Sequence, residues 1–90
     1  MPVISEFYGI RIIMNHNDIG QHNHPHIHAK YQGSKAVFAI PEGEVLAGRL
    51  PPRQTRYVQN WIAEHEQELI DDWNRAIASE TLLPIAPYKR

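Results

Sequence analysis

The sequence predicts an α+β fold, with an antiparallel sheet of about four strands followed by a long or bent helical segment packed on one face. Its first half carries short stretches rich in β-branched residues, separated by turn-forming Gly and Pro. After Pro51 and Pro52, apolar residues recur at steps of three and four, which is typical of an amphipathic helix. We expect a single domain, with strands mainly in 1–50, helix in 51–79 and an extended tail in 80–90.

The strands are predicted from side-chain alternation and from the turns between them. Residues 3–14 are rich in Ile and include Gly9, which allows a bend. Residues 26–32 alternate polar and apolar side chains, and residues 35–40 and 44–50 follow after turns that contain Gly. Because residues two apart in an extended chain share a face, we expect the apolar positions of each strand to line the core.

The helical segment is predicted to break near its middle. A helix of about 26 residues is long for so small a domain, so we expect a bend at 65–67 and two helices of about 13 residues. His65 lies within the apolar positions and is interpreted as a core or hinge residue. We expect the helical stripe to be buried against Ile10, Ile12, Val37 and Phe38. The stripe consists of Val58, Trp61, Ile62, Leu69 and Trp73.

The composition excludes several classes of protein. There is no cysteine, so neither a disulfide framework nor a thiolate zinc site can form, which fits a reducing compartment. The formal net charge is −1, so nucleic-acid binding would need a local basic patch. No apolar run approaches the ~20 residues of a membrane span, and the start of the chain does not resemble a signal peptide. We therefore expect a cytoplasmic protein without a membrane partner.

A run of histidines is the strongest functional signal. His22, His24, His26 and His28 alternate with other residues, so in an extended chain they would share one face. Imidazole is the commonest metal ligand and titrates near neutral pH. The run predicts a working site, with zinc or nickel as candidate ions, although its spacing is not that of a zinc finger. Three alternatives stay open: a polar strand face without chemistry, metal-free acid–base chemistry, and contact with nucleic acid.

The geometry of a strand limits what the histidines can do alone. His26 and His28 leave the same face of one strand, too close in direction to fill a tetrahedral site. Further ligands must come from the preceding loop, from the helix, or from a second copy in a homo-oligomer. His22 is the best loop candidate, because Pro25 can turn the chain. The reserve ligands are His16, His24 and His65.

Three arginines cluster where the helical segment begins. Arg49, Arg53 and Arg56 would oppose the helix macrodipole, which favours negative charge at that end. Such a placement predicts a phosphate site, where guanidinium groups and backbone N–H groups share one anion. The alternative is that these arginines pair with acidic residues such as Glu42 and Glu44.

Several segments in order resemble a family of small bacterial proteins, the domain of unknown function 4160 family. His22, His26 and His28 fall where the family usually has histidine, whereas His24 replaces a proline of its pattern. The resemblance implies a small partner protein, a role as a toxin–antitoxin component and a bacterial cytoplasm. The matching segments are Met1 to Ser5, Phe7 to Ile10, Pro25 to Ala29, Gly43 to Leu46, Leu50 to Arg53, and the helix with Trp61, His65, Glu68, Leu69 and Trp73.

Three functions are therefore in competition, and whether the protein is an enzyme stays open. The first is a toxin–antitoxin component with the histidine strand as its working site. The second is a histidine- or metal-dependent ribonuclease, in which His26 and His28 supply general acid and base and the arginines hold phosphate. The third is a non-enzymatic module that docks a protein through its sheet edge or its tail.

Overall fold

The computed structural model describes residues 3–15 and 24–90. In this part of the chain, five strands precede two helices, and the strands form one antiparallel sheet in sequence order. The predicted α+β class is confirmed. The elements are β1 (Val3–Phe7), β2 (Ile10–Ile13), β3 (His26–Tyr31), β4 (Ser34–Ala39), β5 (Val45–Gly48), α1 (Pro52–Glu64) and α2 (Glu66–Ile77).

The predicted strand over residues 3–14 is in fact two strands. Tyr8 and Gly9 have φ angles of 50° and 77°, and two consecutive residues with positive φ form the two-residue turn that suits a right-handed hairpin. The chain therefore reverses instead of bending, and β1 pairs antiparallel with β2. This turn raises the strand count from the expected four to five.

The helical segment breaks at His65, as its length predicted. The backbone there has φ −129° and ψ 32°, outside the helical region. The His65 N–H still donates to the Ile62 carbonyl, and its own carbonyl accepts from the Leu69 N–H. The two helices have 13 and 12 residues. In the described part of the chain, no helix is long and apolar enough to cross a membrane.

One face of the sheet, here called the packed face, shares a hydrophobic cluster with both helices. Ile12 and Ile27 from the sheet and Trp61 from α1 are fully buried in it. The predicted helical stripe is buried as a whole. The expectation for Val37 was wrong. It lies on the opposite face and is only half-buried, because Phe38 occupies the core position and neighbouring side chains alternate.

The tail after α2 is fixed to the same core. The Ile85 N–H donates to the Ile4 carbonyl of β1 at 2.8 Å. The Leu83 N–H donates to the carboxylate of Asp72, which is fully buried on α2. These bonds hold the tail against the β1 edge of the sheet and against α2. At the opposite edge, all four residues of β5 are exposed.

Candidate functional site

The second face of the sheet, here called the histidine face, carries alternate residues of β3. His28 and Lys30 point away from the packed face, since their neighbours fill the core, while the His26 ring at the start of β3 is buried against Trp73 of α2. Across the sheet, His28 lies between Ile13 on β2 and Val37 on β4. Exposure rises along β3: His26 is 1% exposed, His28 is half-buried and Lys30 is exposed. A buried imidazole thus leads into an exposed charge on one strand.

The His26 ring is oriented by a backbone group. Its Nδ1 lies 3.0 Å from the His24 carbonyl, which can only accept, so Nδ1–H is the donor. In the neutral ring, Nε2 is then the nitrogen with the lone pair. The ring also packs against His28 and Trp73, at 5.3 and 5.2 Å between centroids. Metal-binding histidines are typically oriented by an acceptor of this kind.

The structure brings two of the four predicted ligands together, His26 and His28. His24 lies ahead of β3, and its Nε2 is 2.9 Å from a carboxylate oxygen of Glu42. This hydrogen bond lowers the pKa of the Glu42 carboxyl below its ordinary value. His22 lies outside the described residues, and so does the reserve ligand His16. Among the residues described, no three His, Asp or Glu side chains are grouped to hold a metal.

His65, the reserve ligand on the helix, has its recorded partners within the helical segment. Its Nδ1 is 2.6 Å from a carboxylate oxygen of Glu68, three residues ahead on α2. Its ring lies 5.7 Å from the Trp61 ring of α1. These contacts join the two helices across their break, in agreement with the hinge interpretation.

The three arginines predicted to hold phosphate are all exposed. Arg53 and Arg56 lie on α1, and Arg49 follows β5. Within residues 3–15 and 24–90, none of the three forms an ion pair. Glu42, one of the acidic partners considered for them, binds His24 instead. The structure therefore does not test the phosphate prediction. The acidic pairing that was the alternative is not formed among the described residues.

A row of cations on the histidine face was not found from the sequence. Arg11 on β2 lies opposite Lys30 on β3, and Lys30 lies opposite Lys35 on β4. These three residues, here called the cation row, line a cleft of about 510 Å³. The Arg49 backbone N–H donates to the Lys35 carbonyl at 2.9 Å, so the backbone of Arg49 lies next to that of Lys35. Only the register between strands, which the sequence does not state, puts these charges side by side.

A smaller apolar cleft adjoins the cation row. It measures about 160 Å³, and its lining includes His28, Val37 and Ala47. Lys35 lines both clefts. The cation row and the apolar cleft therefore meet at Lys35.

A family model described as "Domain of unknown function (DUF4160)" matches residues 9–74 of this chain. The match includes β2 to β5, α1 and most of α2, and so covers the histidine pair, the cation row and the apolar cleft. No curated protein and no solved structure matches the chain. Since the family model spans more than half of the sequence, the chain belongs to the DUF4160 family.

Proposed function

We propose that this protein is one component of a small bacterial two-protein system of the toxin–antitoxin kind. Its working site, in this proposal, is a divalent metal ion held by His26 and His28. The family resemblance supports the first part, because it implies a small partner protein and a bacterial cytoplasm. The ligand type supports the second, since imidazole suits ions such as zinc and nickel.

The separation of the two imidazole rings carries the metal proposal. Their centroids are 5.3 Å apart, with an angle of 68° between the ring planes. Two imidazoles that bind one tetrahedral zinc ion at about 2.1 Å have ring centres roughly 5 Å apart. The observed spacing is of this size, which supports the proposal of a shared ion. The bond from Nδ1 of His26 to the His24 carbonyl makes Nε2 the nitrogen that would bind.

Two imidazoles leave a tetrahedral ion short of ligands. We take His22 as the next ligand, because it precedes β3 and falls where the family usually has histidine. A histidine from a second copy of the chain is the alternative source, and it would make the site depend on a homo-oligomer. The ring of Trp73 beside His26 would limit the access of water to the ion.

The ribonuclease alternative fits the geometry less well. A general acid or base must come within hydrogen-bond reach of the substrate. His26 is 1% exposed, so a bound RNA strand would not reach its ring without a change in the surrounding structure. A metal ligand, in contrast, can be buried.

Elemental analysis and calorimetric titration of protein without a histidine tag test the metal site. We expect stoichiometric zinc or nickel, with zinc–nitrogen distances of about 2.0–2.1 Å by X-ray absorption. Binding should weaken as the pH is lowered, because protons compete for the same nitrogens. His28→Gln should reduce the affinity by more than about tenfold.

The matched control is His65→Gln, which removes an imidazole from the hinge and leaves β3 intact. Circular dichroism and the melting temperature establish that each variant folds. Binding that survives His26→Gln combined with His28→Gln would contradict the proposal, and so would wild-type protein that takes up neither ion. Loss of binding in His22→Gln would identify the third ligand.

Growth measurements test the two-protein system separately from the metal. Three cultures are compared: one expresses this chain alone, one expresses the protein encoded beside it alone, and one expresses both. We expect one of the two proteins to slow growth and the other to relieve the effect while co-purifying with it. Normal growth in every arrangement, without co-purification, would contradict this part of the proposal and leave the metal site to be judged on its own data.

A further inference from the structure

We infer that the cation row binds single-stranded nucleic acid through its phosphate backbone, across β2 to β4 of the histidine face. The residues involved are Arg11, Lys30 and Lys35, which lie beyond the proposed metal ligands on the same face. The phosphate contacts are independent of the metal site, because no histidine is needed to hold the phosphates.

The first argument is the cost of the row to the sheet. Arg11 faces Lys30 and Lys30 faces Lys35 on neighbouring strands, and like charges directly opposite destabilise a sheet. Glu6 offsets one of these charges, with its carboxylate 3.6 Å from Arg11 Nε. Neither Lys30 nor Lys35 has an ion pair in the described part of the chain. A bound anion would remove the repulsion.

The second argument is the length of the row. Neighbouring strands lie about 4.8 Å apart, so three cations on successive strands span roughly 10 Å. A single phosphate could contact the whole row only if the two outer side chains converged on it. A phosphodiester backbone repeats its charge at every nucleotide and can contact the whole row.

The third argument distinguishes nucleic acid from an acidic peptide. The apolar cleft beside Lys35 is lined by His28, Val37 and Ala47. An imidazole ring and apolar side chains suit an unstacked base, which has a flat π-face. Aspartate and glutamate side chains have no such group to place there. The bases must be unpaired to reach the cleft, which favours a single strand over a duplex.

Fluorescence anisotropy of the full chain with a labelled oligouridylate of about twelve nucleotides tests the inference. Three phosphate contacts on a single strand predict that log K falls against log salt with a slope of about −2. We expect Lys30→Glu to weaken binding by more than tenfold and to flatten the salt dependence. Lys30→Gln should weaken binding less, because it removes a charge without adding the opposite one. Unaltered binding in Lys30→Glu would overturn the inference.

The matched control is Lys89→Glu, which reverses one exposed charge on the tail. We expect it to change the affinity by less than about threefold. Arg53→Glu tests the earlier arginine prediction directly. If Arg53→Glu abolishes binding while Lys30→Glu does not, the phosphate site lies at the start of α1 and the cation row is not the site.

Competitors identify the class of ligand. Inorganic phosphate should displace the oligonucleotide only at much higher concentration, and a duplex of equal length should bind more weakly. Polyglutamate that competes as well as oligouridylate at equal charge would mean an acidic peptide ligand and would overturn the inference. Absence of binding at low salt would overturn it as well. Addition of a chelator keeps the metal site out of every measurement.

Discussion

The two faces of the sheet are built on the same strands but differ in what their residues do for stability. On the packed face, Ile12 and Ile27 are fully buried against the helices, and their burial favours folding. On the histidine face, Arg11 and Lys30 are exposed opposite one another, where their repulsion opposes folding. Burial therefore accounts for the residues of the first face, whereas the exposed charges of the second are those that the proposed nucleic acid would contact.

The same contrast runs along β3 itself. At its first residue, the His26 ring is buried against Trp73, so a structural role is sufficient reason for a large side chain there. Four residues later, Lys30 is exposed. The proposed metal site and the proposed phosphate site are therefore neighbours on β3. The first includes a buried side chain that also contributes to stability, and the second consists of exposed charges that repel one another.

The largest expected change in stability follows from truncation of the Trp61 side chain on the packed face. Its ring is fully buried, packs 5.5 Å from the Phe7 ring and donates from Nε1 to the Ala86 carbonyl at 2.8 Å. Trp61→Ala should reduce the free energy of unfolding by about 3–5 kcal/mol, because it leaves a cavity. Urea denaturation measures the change. An unaltered melting temperature would mean that the packed face does not carry the stability assigned to it.

An intermediate loss of stability is expected when glycines at the edge of the histidine face are replaced by alanine. Gly48 in β5 has φ +72°, and a Cβ there would lie 2.3 Å from the Lys35 carbonyl oxygen. Gly33 has φ +82°, but a Cβ there would meet nothing within 4 Å. Gly33→Ala should cost about 1–2 kcal/mol for the left-handed backbone alone. Gly48→Ala should cost more, because β5 must also move away from β4.

The two alanine variants form a matched pair, since both place a Cβ on a residue with positive φ. The difference between their unfolding free energies isolates the close approach of β5 to β4. Equal losses would contradict a tight β4–β5 contact, and the apolar cleft lined by Ala36, Ala47 and Gly48 would then be wider than described.

Most of the fold was predictable because its signals are local. The change of period after Pro51 and Pro52 and the length of the helical segment located α1, α2 and their break. The turn at Tyr8 and Gly9 was harder to predict, because tyrosine rarely takes a positive φ and the pair reads as a bend.

The candidate site was only partly predictable for a related reason. His26 and His28 belong to one strand, so alternation alone placed them on one face. Arg11 and Lys35 join Lys30 only through strand register, a long-range property that no local pattern specifies. Val37 was misassigned for a different reason: Val37 and Phe38 are neighbours on one strand, so only one of them could line the core.

The smallest expected change in stability is a gain instead of a loss, and it tests most directly the contrast between the two faces of the sheet. Lys30→Gln removes the central charge of the cation row while keeping a long polar side chain. Without ligand, the variant should be more stable than the wild type by about 0.2–1 kcal/mol, because two like-charge pairs are lost. The gain should shrink at high salt, where exposed charges are screened, and Lys89→Gln should show no comparable gain. Urea denaturation at two salt concentrations measures both. If Lys30→Gln lowers the stability instead, Lys30 serves the fold itself, and the repulsion argument for a bound polyanion fails.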